Sequence, residues 1–263
     1  MEEPRRSVPV NRILGWAGQG ATIGALVVAM TSAAGAQGGS GNGFLFREPI
    51  TTVTFHGGLA LPRAGGALFD DVTRDLTLAR SDFAAASFGM DLAFAVTPRV
   101  DVVVGFGPSS SRTPSEFRDW VDNNDQPIVQ ETAFLRSPVT LSARYHLRDK
   151  GRMLGSYAWI PERFVPFVSA GGGLLRYRFE QKGDFIDVET LNVFRDALRT
   201  SGWTWVGQVG AGAHLSLTPR VMLTGEARYL LGGVDAGRSS SDYVGYRLDL
   251  SGLTTLVGFS LRL

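Results

Sequence analysis

The chain has 263 residues, no cysteine and a formal net charge of +1. That length suits one all-β domain or two smaller ones, and no shift of composition after Gly43 marks a linker, so one domain is expected. The absence of cysteine excludes a disulfide scaffold, a thiolate metal centre and a lipoprotein anchor, and a near-neutral chain offers no basic face for nucleic acid.

The N-terminus differs from the rest. Arg5, Arg6 and Arg12 give a positive start, Ile13 to Met30 is apolar and small, and Ala34-Gly35-Ala36 fits a cleavage site. A cleavable signal peptide is expected over residues 1–36, favoured over a retained anchor by Gln19, the glycines and the small-residue ending. Residues 37–49 then form a short N-terminal segment and 50–263 the domain. Removing residues 1–36 leaves equal numbers of acidic and basic side chains. No further apolar run is long enough for a spanning helix, so a membrane could be crossed only by a closed sheet.

Eight strands are predicted, near residues 50–61, 84–97, 99–107, 131–147, 164–179, 203–217, 221–231 and 250–263, from the alternation of large apolar with small or polar residues. One hairpin is written twice. Phe88 to Val96, Thr97-Pro98-Arg99 and Val100 to Phe106 reappear as Val209 to Leu217, Thr218-Pro219-Arg220 and Val221 to Tyr229. In each, proline opens a tight turn and has no amide to leave unpaired. Long polar segments separate the first strand from the second, the third from the fourth, the fifth from the sixth and the seventh from the eighth. Arg148 to Arg163 is intermediate in length. In an up-and-down order the long segments fall at one end and the short turns at the other, as in bacterial outer-membrane barrels with periplasmic turns and extracellular loops. Short helices are predicted over Phe69 to Leu78, Pro114 to Val121 (Thr113 as cap) and Val188 to Leu198, either as a cover over the barrel mouth or as loops that bind a partner.

One parity of these strands carries no charge: Phe88, Met90, Leu92, Phe94 and Val96; Val100, Val102, Val104 and Phe106; Val139, Leu141, Ala143, Tyr145 and Leu147; Trp203, Trp205, Val209 and Leu217; Leu253, Val257, Phe259, Leu261 and Leu263. An arginine facing lipid at mid-depth costs about 2–4 kcal/mol, so a membrane selects such purity. The opposite parity is polar and small. Periodicity alone also admits a soluble lipocalin-like barrel with the apolar face inside. Against that, a solvated strand face carries long charged side chains, whereas the only lysines, Lys150 and Lys182, fall outside the predicted strands. Aromatic residues near strand ends form expected girdles: Tyr145, Phe164 and Phe167 on the lower side, and Phe106, Tyr177, Trp203, Trp205 and Tyr229 on the upper.

With these features the chain resembles the small eight-stranded outer-membrane barrels of the OmpA transmembrane domain, OmpX and OmpW kind, over roughly residues 50 to 263. The likeness rests on the signal peptide, the Thr97-Pro98-Arg99 and Thr218-Pro219-Arg220 turns, and the terminal strand from Leu253 to Leu263. The resemblance implies outer-membrane lipids as surroundings and an assembly machinery that reads the last strand. Family members end in Phe or Trp where this chain has Leu263, with Phe259 keeping an aromatic on the same face. The resemblance implies no cofactor and names no surface ligand.

Candidate chemistry lies on the inward parity. Asp91, Asp101, Arg144, Arg176, Arg178, Glu226 and Arg228 are expected to pair across the lumen, since buried charges are costly alone. Such a network either fills and seals the barrel or lines a narrow path for small solutes. His56, His146 and His214 share this parity, and His214-Leu215-Ser216 places an imidazole and a hydroxyl on one face, as nucleophilic catalysis wants. No acidic partner is evident and the pair sits at the tight-turn end, so no enzyme is expected. Gly207, Gly210 and Gly212 do not match a dinucleotide fingerprint, and Asp122-Asn123-Asn124-Asp125 lacks the spacing of a calcium loop, so neither a nucleotide nor a metal site is expected.

Overall fold

The computed structural model describes residues 43–122, 125–186, 193–236 and 245–263. The expected signal peptide lies outside the described residues. The described strands are β1 (Thr51–Pro62), β2 (Ala85–Thr97), β3 (Val100–Phe106), β4 (Ser109–Val121), β5 (Pro127–His146), β6 (Gly151–Leu154), β7 (Ala158–Pro161), β8 (Phe164–Ile186), β9 (Val193–Ser216), β10 (Val221–Leu231), β11 (Gly233–Ala236), β12 (Tyr246–Asp249) and β13 (Gly252–Arg262), with one helix, α1 (Ala67–Asp75), and a 3-10 turn at Arg80–Phe83.

The wall is an antiparallel ring. β1 pairs with β2 on one side and with β13 on the other, which closes the sheet and removes its edges. β3 and β4 share one place in that ring: Phe106 faces Val139 and Ser109 faces Arg136 on β5 in unbroken register. The gap between them falls where Pro108 and Pro138 have no N–H to give the ladder. The ring therefore has eight places, and neighbours in sequence are neighbours in space, an up-and-down barrel.

Both Thr-Pro-Arg turns close the same way. Thr97 Oγ accepts the amides of Arg99 and Val100 at 3.3 and 3.0 Å, and Thr218 Oγ those of Arg220 and Val221 at 3.3 and 3.0 Å. A threonine hydroxyl thus replaces the strand partner that the turn takes away. Arg99 also meets Asp149 at 2.6 Å across the short-turn end, and that hydrogen bond holds the Asp149 carboxyl below its ordinary range. The segment between β5 and β8 folds into the small β6–β7 hairpin, and Leu45 joins it by exchanging backbone hydrogen bonds with Trp159.

Side chains outside the wall form a belt. Phe55, Leu59, Phe88, Phe94, Val104, Leu141, Val168, Trp205, Val209, Val257 and Phe259 are all exposed. Between Phe164 and Leu174 on β8, Val139 and Leu147 on β5, and Leu253 and Leu263 on the last strand, the outward parity holds no charged residue. β13's 11 residues, at roughly 3.4 Å each and tilted by about 40°, rise close to the 25 Å of a membrane barrel's apolar band. The apolar face is outside, so the lipocalin-like alternative does not apply. The fold is an eight-stranded transmembrane β-barrel with short turns at one end and long connections at the other.

The long connections differ from expectation. The helix expected over Phe69 to Leu78 forms as α1, but it starts at Ala67 and ends at Asp75; Leu76 is extended and bridges to Phe117. Pro114 to Val121 is not helical: it belongs to β4, paired with β5 from Ser109↔Arg136 to Glu116↔Val129. Likewise Val193 to Leu198, expected as helix, is strand paired with β8, while residues 187–192 lie outside the described residues. The wall thus continues past the belt as tall hairpins. Pro114 is tolerated because β4 meets β2 only at Ser109, leaving an edge above it.

Candidate functional site in the barrel lumen

The interior is layered. At the short-turn end Trp159 of β7 is buried, with the Arg262 guanidinium over its ring at 5.3 Å. Arg262 donates to the Pro219 carbonyl at 3.1 Å and to Ser216 Oγ at 2.9 Å. Above it Asp101 accepts from Lys150 Nζ at 2.6 Å and meets His146 Nε2 at 2.8 Å. His214 stacks on Phe167 at 4.6 Å between ring centroids. From His214 Nδ1 a chain of hydroxyls crosses the wall strands: Thr224 at 2.8 Å, then Ser260 at 2.6 Å, then Thr54 at 2.7 Å.

The next layer is ionic. Asp91 of β2 accepts from both Nη atoms of Arg228 on β10 and lies 3.5 Å from Arg144 of β5 and 3.3 Å from His56 Nε2. Glu226 accepts from Arg144 at 3.0 Å and from Arg228 at 2.9 Å, and Ser169 Oγ reaches it at 3.4 Å. Arg144 also lies 4.3 Å over the Phe167 ring. Two carboxylates meet two guanidiniums, so the layer is neutral and its charges are compensated where water is excluded. Glycine makes room for it. A Cβ on Gly105 would stand 2.8 Å from Asp91 Oδ1, and one on Gly210 would stand 2.7 Å from Ser169 Oγ and 3.1 Å from Glu226 Oε1.

A cavity of about 40 Å³ separates this layer from an apolar plug. There α1 inserts Leu68, Phe69 and Val72 between wall residues Phe134, Leu175, Tyr177 and Phe179, with Leu76, Leu78, Phe83, Leu248 and Leu250 completing the core. The Phe69 ring packs edge-on against Phe83, Phe134 and Phe179 at 5.0, 5.3 and 5.5 Å. Backbone bonds hold the plug at both ends: Thr77 N donates to the Glu116 carbonyl, and Asp249 N to that of Gly65, at 2.8 and 2.9 Å.

The structure brings together Asp91, Arg144, Glu226 and Arg228, with Asp101 one layer below. Arg176 and Arg178 are not among them. On β8 the odd positions point inward (Val165, Phe167, Leu175, Tyr177 and Phe179), leaving Arg176 exposed and Arg178 partly exposed on the outer wall. The reason is the plug, which demands apolar partners inside just where the strand leaves the belt and can carry arginine outside. By the same parity Phe167 and Tyr177, expected in the girdles, are lumen residues. Phe106, Tyr145, Phe164, Trp203 and Trp205 are exposed on the outer face, and Tyr229 is partly so. The catalytic pairing considered for His214 and Ser216 does not form: His214 Nδ1 meets Thr224, while Ser216 Oγ donates to the Glu162 carbonyl at 2.7 Å.

Sequence reading missed Trp159, Arg262, Lys150 and Arg136 as interior residues. Arg136 and Arg262 carried a signal, since they share parity with Thr140 on β5 and Ser260 on β13. Trp159 and Lys150 lie between wall strands, where no periodicity marks a direction.

No family model and no curated protein matches the sequence. Among solved structures the chain is similar to the outer membrane protein OprG from Pseudomonas aeruginosa (13% identity, 83% of this chain and 99% of that one, TM-score 0.47). It is also similar to Neisserial surface protein A (13%, 81% and 97%, 0.43). A third is Ail, the attachment invasion locus protein of Yersinia pestis (10%, 82% and 100%, 0.41).

Proposed function

We propose that the chain is an integral outer-membrane barrel with a structural or surface-interaction role and a lumen closed to solutes. The observation that carries this reading is the filled interior: Trp159 below, the Asp91–Arg144–Glu226–Arg228 layer in the middle and the α1 plug above. Eight strands enclose a space just wide enough for side chains, and among the described residues these three layers occupy it, which supports a lumen closed to solutes. The charge-free belt supports lipid as its surroundings, with the Thr97–Arg99 and Thr218–Arg220 turns at the periplasmic rim. The signal peptide expected over residues 1–36 and the apolar last strand support delivery through an outer-membrane assembly machinery.

Surface interaction fits the opposite end. There the β4–β5 and β8–β9 hairpins rise beyond the belt and expose Trp120, Val121 and Phe194, aromatic and apolar groups of the kind that anchor a protein partner.

Purified protein in a planar bilayer tests the closed lumen. The expected record shows membrane insertion without steady single-channel steps. Steady, reproducible conductance would instead establish the rival reading, a narrow channel for small solutes.

A further inference from the structure

Arg136 is out of balance with its surroundings. It points inward from β5 at the boundary between the ionic layer and the plug, and its residue is 5% exposed. Its Nη1 donates to the Leu250 carbonyl at 3.0 Å, and among the described residues no carboxylate pairs with it. Asp91 and Glu226 are already matched by Arg144 and Arg228, and Asp101 by Lys150. A buried guanidinium without a counter-charge is strongly unfavourable, and an anion supplied from outside removes that cost.

Space for one lies beside it. The 40 Å³ cavity is lined by Arg136 together with Arg228, Thr140, Gln208, Ser87 and Thr254. Thr140 and Gln208 are buried, and their side chains make no hydrogen bond to protein among the described residues, leaving a hydroxyl and an amide N–H to be turned toward the cavity. A net positive charge, neutral donors and room for only a few water-sized groups select a small monovalent anion over sulfate or phosphate, which are larger and doubly charged.

We infer that this cavity is a halide site, occupied by chloride held between Arg136 and the Thr140 and Gln208 donors. The anion matches the Arg136 charge and ties the plug to the ionic layer.

Two measurements on the detergent-solubilised protein test this. Crystals grown in sodium bromide should give an anomalous peak beside the Arg136 guanidinium; only water density there overturns the site. In solution, replacing sodium gluconate by sodium chloride at constant ionic strength should raise Tm by about 2–5 °C with saturation, as a ligand specific to the folded state does. Arg136→Met should lose that dependence and, in gluconate, should be at least as stable as the parent. A chloride response equal in parent and variant, or none in either, contradicts the inference.

Discussion

At the residue scale, the ionic layer shows how four of the lumen's charges remain inside a membrane barrel. Each of Asp91, Arg144, Glu226 and Arg228 meets more than one partner of opposite sign, so removing one leaves the others unmatched. Glu226→Leu is expected to destabilise the barrel by about 3–5 kcal/mol, because Asp91 then faces two guanidiniums. Adding Arg144→Met to that variant should recover most of the loss, since Asp91 and Arg228 remain as a balanced pair. Urea unfolding in detergent measures both; a double variant no better than Glu226→Leu alone contradicts the pairing. The pairing was partly legible in the sequence. Asp91, Asp101, Arg144, Glu226 and Arg228 stand on strands whose other parity is purely apolar, so their direction followed from period two alone. Arg176 and Arg178 misled because β8 changes surroundings along its length, and above the rim its charged residues, Arg176, Arg178, Glu180 and Lys182, all stand on the outward parity.

At the element scale, the determining part is α1. Its Leu68, Phe69 and Val72 are buried while Asp70, Asp71 and Arg74 face outward, an amphipathic pattern visible in the sequence. What the helix covers was not visible, because its partners Phe134, Leu175 and Phe179 come from distant strands. Phe69→Ala should remove the centre of the plug and cost about 3–5 kcal/mol. The loss should appear first as faster hydrogen exchange in α1 and in residues 246–250, with β13 still protected. Simultaneous loss of protection in α1 and β13 would show that the plug is not a separable layer. The tall hairpins were misread for a related reason. Above the membrane both faces of β4 and β9 carry polar residues, so the alternation that marks a strand in the belt fades. Pro114 and the sequence Thr113-Pro114-Ser115-Glu116 then imitate a helix start although the backbone is strand.

At the scale of the whole molecule, two gradients meet. Around the wall, outside is apolar and inside polar through the belt; along the axis, the interior passes from ionic to apolar as it leaves the short-turn end. The first gradient follows from lipid; in the second, the paired charges of the ionic layer give way to apolar packing in the plug. Together they describe a barrel that spans a membrane while remaining filled. The chain contains no cysteine, so single cysteines can report each environment without background. In vesicles, a water-soluble thiol reagent should label Arg112→Cys on the exposed outer face of β4 beyond the belt. It should leave Val104→Cys unlabelled in lipid, and Ala93→Cys and Val103→Cys unlabelled in the packed lumen. Labelling at position 93 or 103 would reveal an aqueous path through the barrel, and labelling at position 104 would place the belt in water; either result contradicts a closed transmembrane barrel.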